Sequence, residues 1–213
     1  KGYFQGADEN FSFREAYAPV DFGARRFCEA RVWSFFRRVA PSLNLPVDYV
    51  RGDADAEPLP IWVKPDRKLG IHDLFALMRD HFEGTELDLH QGIGAGPYRL
   101  PYRWRPLTWK IGDRTYFNER ATATQQTGWS FISQLRSALP DPIGGVHWFG
   151  VDDTGSTVYL PFYCGITRTP RSYGVESGHF EEFSWNSAFW VFNFVANFAY
   201  GRYCDMIQDI RKV

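Results

Sequence analysis

Apolar residues recur at steps of three and four between Phe22 and Ala40, at Phe27, Ala30, Trp33, Phe36 and Ala40. That spacing predicts a helix with one buried stripe and with Arg26, Arg37 and Arg38 turned to water. Pro41 then ends it, because proline brings no amide donor to continue the ladder. A second amphipathic stretch, Ile71 to Glu83, sets Leu74, Leu77, Met78 and Phe82 on one face, with Gly84 just beyond its end. Between these helices the segment Arg51 to Pro60 (RGDADAEPLP) has the composition of an exposed connection, inside a chain read as part of a single domain over residues 1–213.

The pattern changes further along. Two apolar runs, Val146 to Val151 and Thr157 to Ile166, are joined by the turn formers Asp152-Asp153-Thr154-Gly155-Ser156 and predict a β-hairpin. His147, Phe149 and Val151 fall on one side and Val146 and Trp148 on the other, so a strand buried on both faces is expected. A short amphipathic run and the turn signals Pro140-Asp141-Pro142 and Gly144-Gly145 precede them. Ser184 to Ile210 reads as one long buried helix capped by Ser184; its apolar part, Ala188 to Tyr200, is short for a bilayer and carries Asn193 and Asn197. Lys1 to Pro19 reads as ordered loop with one short strand, and Tyr98 to Lys110 as an aromatic-rich loop feeding the next strand.

Composition narrows the function classes. The chain has 213 residues and a formal net charge of −1, which provides no broad electrostatic attraction for nucleic acid. Aromatic residues make up 18% of the chain, enough for bulky core layers or a site lined with rings. Three widely spaced cysteines, Cys28, Cys164 and Cys204, fit no metal-ligand spacing and are read as buried thiols. No apolar run of about 18 residues marks a membrane span. Compartment and oligomeric state stay open.

Candidate chemistry is sparse. His72 and His81 are nine residues apart, which on a continuous helix places them on opposite sides and rules out a shared ion, so surface or partly buried histidines and no metal site are expected. Gly92 to Pro97 lacks the spacing of a dinucleotide loop and reads as a tight loop. The cluster Thr124-Gln125-Gln126-Thr127 enters an apolar region, where its amides and hydroxyls either bind a substrate carbonyl or carboxylate or cap an element. Just before it lie Asn118, Glu119 and Arg120; Arg120 is a candidate for holding a peptide's terminal carboxylate, and a surface ion pair involving Glu119 is the competing reading. Asn186, Asn193 and Asn197 are spaced to line one helix face, where they hydrogen-bond within the core or face a pocket. Asp152 and Asp153 read as hairpin-turn residues with too few oxygens around them for calcium.

Long stretches add a resemblance. FCEARVWSFF, GAGPYRLPYRWRPLTWK, NERATATQQTGWSF, LPDPIGGVHWFGVDD, VYLPFYCGI and EFSWNSAFWVFNFVANFAY together resemble the PepD-type dipeptidases, cysteine hydrolases of the N-terminal-nucleophile class related to the secernins. The resemblance covers almost the whole chain. It implies an α+β fold, a four-layer αββα sandwich of antiparallel sheets of which this chain is part. It also implies hydrolysis of dipeptides and other short peptides with no cofactor. In that class the nucleophile is the first residue of the mature enzyme, a cysteine whose α-amino group is the base. The chain begins with Lys1, so the catalytic cysteine is expected upstream and no catalytic residue in the chain itself. Thr124, Gln125, Gln126, Asn118 and Arg120 are the substrate-binding candidates. The alternative is a non-catalytic, aromatic-rich binding domain on the same sandwich.

Overall fold

A computed structural model describes residues 2 and 4–212 apart from positions 19, 54 and 106, with residue 15 described by its backbone only. The chain divides into two compact units, one of residues 1–67 and 105–120 and one of residues 68–104 and 121–213.

In the first unit the predicted helix forms with a defect. Asp21 caps it, its carboxylate accepting from the Ala24 amide at 2.7 Å. Helix α2, Phe22–Ala24, runs into a π turn, Arg25–Glu29, and then into α3, Ala30–Val39. Ala30, Trp33 and Ala40 are buried as the stripe requires. Arg26 does not face water: it pairs with Glu119, both side chains 14% exposed, and donates to the Val50 carbonyl. The π turn inserts an extra residue and shifts the phase of the face before it, which carries Arg26 inward. Arg37 lies 5.3 Å from the Trp33 ring, leaving Arg38 as the exposed member of the three. Upstream, where a strand was expected, the chain forms a 3-10 turn at Asp8–Asn10 and α1, Phe13–Tyr17; Lys1 and Pro19 lie outside the described residues.

Helix α4, Asp48–Arg51, ends at Gly52 with φ +100°, and the connection predicted at 51–60 continues from there within the first unit, Ala54 lying outside the described residues. The aromatic loop does feed a strand. β1, Thr108–Ile111, pairs antiparallel with β2, Arg114–Phe117, through a turn at Gly112, φ +58°. Phe117 meets the rings of Phe22 and Phe27 edge-on at 5.0 and 5.4 Å, which ties the hairpin to the helix.

The second unit holds helix α5, Ile71–Met78, and a three-stranded antiparallel sheet of β3, Trp129–Leu135, β4, Gly145–Val151, and β5, Leu160–Tyr163, in the order β3-β4-β5. The short helix α6, Asp141–Gly144, enters β4 from the predicted turn. The hairpin is real but shorter on its second arm than expected, because residues 152–159 form a long inserted loop. β4 has no exposed residue, whereas β5 alternates between half-buried and exposed. The expected burial on both faces therefore holds for β4 alone. One face of β3 stands open: Trp129 is 61% and Leu135 85% exposed. There Trp129, Phe131, His147 and Phe149 form a plate of roughly parallel rings, with neighbouring centroids 4.6–6.2 Å apart.

The long C-terminal helix is two helices, α7, Ala188–Gly201, and α8, Tyr203–Ile210. Gly201 is a weak helix former, and Arg202 leaves helical geometry at φ −146°, its guanidinium holding the Asp205 carboxylate at 2.7 Å. The Cys204 amide then bonds to the Tyr98 carbonyl at 2.9 Å, so a tertiary contact starts α8 in a new direction. Ser184 is not the cap; its hydroxyl donates to Ser177 and the helix begins after Ser187. Nor is α7 wholly buried: Ala188, Ala196 and Ala199 face inward, but Phe198 is 61% exposed. Asn193 and Asn197 direct their amide donors back into their own helix. Each donates to the carbonyl one turn back, Phe189 and Asn193, at 2.9 and 2.7 Å, and Asn186 lies exposed before the helix. The thiols are not buried either: Cys28 and Cys164 are exposed and Cys204 is half-buried, because each lies at a helix surface or just beyond a strand end. Among the described residues no helix is long and apolar enough to cross a membrane.

Candidate functional site

The second unit has a polar interior, and it begins where α5 stops. The helix ends at Met78, with the Arg79 amide still bonded to the Phe75 carbonyl. Asp80, His81 and Phe82 then turn into the core, all with 0% exposure. Phe82 takes φ +66°, a left-handed conformation unusual for a bulky residue. That kink brings the Glu83 carboxylate back over His81, where it accepts from the His81 amide at 2.9 Å and lies 3.3 Å from Nδ1. The Leu89 amide bonds to the His81 carbonyl at 3.1 Å and draws the next turn alongside. In that turn the Asp88 carboxylate accepts from the His90 amide at 2.9 Å and sits 3.1 Å from His90 Nδ1. The two imidazole rings meet edge to face, with centroids 5.2 Å apart.

These contacts shape the titration of the pair. Burial alone raises the Glu83 carboxyl, but the hydrogen bonds from the His81 ring and amide more than reverse that and hold it at about 2. Burial lowers His90, and the neighbouring His81 adds to that against the opposing pull of Asp88. The expectation of a surface or partly buried His81, on a helix shared with His72, is corrected. The helix has ended before His81, so the angular argument does not apply to it.

The loop between β4 and β5 supplies the rest of the interior. Asp153 is 1% exposed and accepts from the Tyr102 hydroxyl, from the Tyr200 hydroxyl at 3.1 Å and from the Gly155 amide at 2.8 Å. Burial first, and then the nearby Asp153 charge, push the Tyr102 and Tyr200 phenols far above their ordinary value, so both remain donors. A Cβ on Gly155 would sit 3.0 Å from the Tyr102 hydroxyl, 3.2 Å from Asp153 Oδ1 and 3.4 Å from His81 Cε1, so only glycine fits without displacing them. Asp152, at φ +64°, is also buried, and its Oδ2 has no hydrogen-bond partner. Burial, helped by the charge of Asp153, raises its carboxyl to about 6, against the pull of a backbone amide. Both aspartates do stand in the hairpin connection, yet they are core residues rather than solvent-facing turn formers.

The substrate-binding candidates lie elsewhere. Thr124 to Thr127 form a turn closed by the Thr127 amide on the Thr124 carbonyl at 3.1 Å, and Gln125 and Gln126 are exposed at its tip. Asn118 and Arg120 belong to the first unit and the Thr/Gln turn to the second. The Asn118 amide bonds to the Leu107 carbonyl at 2.8 Å. Phe27, Arg105, Leu107, Thr108 and Arg120 line an open cavity of about 600 Å³ within the first unit. That groove sets two guanidinium-bearing residues beside apolar ones, an arrangement suited to a small ligand with an anionic end. Glu119 is committed to Arg26.

A sequence profile of the peptidase family C69 matches residues 1–213. The chain belongs to peptidase family C69. Curated relatives of this C69 chain include a "Probable dipeptidase" of Salmonella dublin, 25% identical over 78% of the chain and 32% of the relative. A "Probable dipeptidase" of Latilactobacillus sakei is 22% identical over 97% of the chain and 38% of its own length. A "Probable dipeptidase B" of Lactococcus lactis subsp. lactis (strain IL1403) is 24% identical over 98% and 38%. The C69 chain thus spans about a third of the length of the relatives it matches.

Within the polar interior of this C69 chain, the aspartates and His81 are residues whose burial the sequence reading missed. Asp152-Asp153-Thr154-Gly155 has turn composition, and nothing local announces that Tyr102 and Tyr200, 51 and 47 residues away, reach Asp153. A usable signal was present for the histidines. His81 with Glu83, and Asp88 with His90, repeat one imidazole–carboxylate spacing of two residues within ten positions.

Proposed function

We propose that this chain is part of a cysteine-type dipeptidase that hydrolyses short peptides, with the nucleophilic N-terminal cysteine supplied by sequence outside the 213 residues. The observation that carries the reading is the family match across residues 1–213, with relatives that bear the name dipeptidase. The free cysteines do not compete for the role. Two are exposed, one is half-buried, and among the described residues no thiol is hydrogen-bonded to a histidine or lysine that would activate it. In this reading Arg120 and Arg105 of the first unit hold the substrate's terminal carboxylate and Asn118 of the same unit offers a hydrogen bond, and the Thr124, Gln125 and Gln126 turn of the second unit is proposed by itself as a peptide-binding element. The sandwich architecture is part of the same proposal. The open aromatic face of β3 and β4 is the kind of surface a second sheet covers. The same exposed rings are what would favour a non-catalytic binding domain.

The experiment pairs two proteins. The parent polypeptide should hydrolyse unblocked dipeptides and lose that activity on thiol alkylation. In it, Gln125→Leu and Gln126→Leu should each lower kcat/KM by about tenfold or more if the amide touches the transition state. The 213-residue chain alone should turn over nothing. Turnover by that chain that survives serine at Cys28, Cys164 and Cys204 overturns the N-terminal nucleophile, and a parent without peptidase activity favours the binding domain.

A further inference from the structure

The structure assigns a divalent transition-metal site to His81, His90 and Glu83 in the polar interior of the second unit. One nitrogen from each imidazole and one oxygen of Glu83 lie within 4.8 Å of one another. Two imidazoles and a carboxylate are a donor set that zinc and its neighbours in the first transition row accept, leaving a further position for water or another ligand. Ligands on one tetrahedral ion at ~2.1 Å stand about 3.4 Å apart. Movement of about an ångström, within reach of the Glu83 side chain, brings the three together.

A second observation points to a ligand. His81 is completely buried, and its Nε2 has no hydrogen-bond partner. Leaving a buried nitrogen unmatched costs about 1–3 kcal/mol, so a bare interior ring nitrogen calls for a partner. On the other side of the His90 ring the Asp88 carboxylate lies 3.1 Å from Nδ1 and fixes it. Holding one imidazole nitrogen with a carboxylate is the usual way a protein orients a metal-binding histidine and raises its basicity. The site is also reachable, since the Glu83 side chain is 41% and that of His90 19% exposed. Bound there, the ion clamps the strand of chain after α5 to the Asp88–His90 turn, which backbone bonding already draws together through Leu89. None of this depends on the peptidase reading.

The test is binding of the metal alone. The 213-residue chain, stripped with chelator and dialysed, should take up one Zn²⁺ per molecule by calorimetry and by elemental analysis after gel filtration. Co²⁺ in its place should give visible d–d absorption, and either metal should raise the melting temperature. His90→Asn and Glu83→Gln, both at reachable positions, should weaken Zn²⁺ binding about tenfold or more with an unchanged far-ultraviolet circular dichroism spectrum. His72→Asn combined with His179→Asn, both exposed, should leave it unaltered. No stoichiometric uptake by the wild-type chain overturns the assignment, and so does uptake that the His90 and Glu83 variants retain in full.

Discussion

Replacing Asp152 with asparagine should stabilise the protein at neutral pH and do nothing in acid. The residue is buried, Oδ2 lacks a partner, and the backbone sits at φ +64°, a region that asparagine enters as readily as aspartate. The substitution therefore removes the ionisable group and little else. The folded protein holds the Asp152 proton more tightly than the unfolded chain, its carboxyl rising from 3.8 to about 6. For an acid whose folded value is raised, stability is greatest below the unfolded value and falls as pH climbs through the window from 3.8 to about 6. Above that window the penalty is complete. The difference is roughly two pH units at 1.36 kcal/mol each, or about 3 kcal/mol. Urea unfolding of wild type and Asp152→Asn at half-unit steps from pH 4 to 8 measures it directly. The curves should lie within about 0.5 kcal/mol at pH 4 and separate to about 3 kcal/mol in favour of asparagine at pH 8. A variant less stable than wild type at pH 8, or a gap that does not change with pH, refutes the reasoning.

Two further outcomes follow from other features. Tyr102→Phe should cost about 1.5–3 kcal/mol, the range for a hydrogen bond to a charged group, because it strips a donor from the buried Asp153. Tyr200→Phe, whose hydroxyl meets the same carboxylate from a half-buried position, should cost less; equal losses in urea unfolding would show that Tyr102 has no special place. If a second sheet of the parent covers the β3–β4 face, Trp129 emission should lie further to the blue in the parent than in the 213-residue chain. Identical spectra from parents whose other tryptophans are replaced would remove the support for a sandwich.

How far the molecule is legible from its sequence depends on the range of the forces involved. The stripe Ala30, Trp33, Ala40 and the hairpin around β4 are periodic, and periodicity is local, so both emerge from residue order alone. β3 emerges from the sequence only as a short amphipathic run: Trp129, Phe131 and Leu135 fall on alternate positions, but Ile132 on the other face blurs the strand signal. The break at Arg202 was not, because it depends on Asp205 and on the Tyr98 carbonyl more than a hundred residues upstream. The same holds for the end of α5. Leu77, Met78 and Phe82 continue a helical stripe on paper, yet Phe82 reaches the core through a left-handed backbone instead. That Arg120 lines a cavity, and that Gln125 and Gln126 are exposed at a turn, could not be read from a cluster of polar letters.

The backbone at Phe82 also bears on the order in which the protein assembles. A left-handed aromatic residue is disfavoured by about 1–2 kcal/mol in an isolated segment, so nothing local prepares the reversal that sets Glu83 over His81. It is held by long-range contacts, with Leu89 bonded to the His81 carbonyl and Ala123 to that of Asp80. The apolar core has to close before these bonds exist. The imidazole pair and its carboxylates thus take their arrangement from the core that encloses them and not from the local chain.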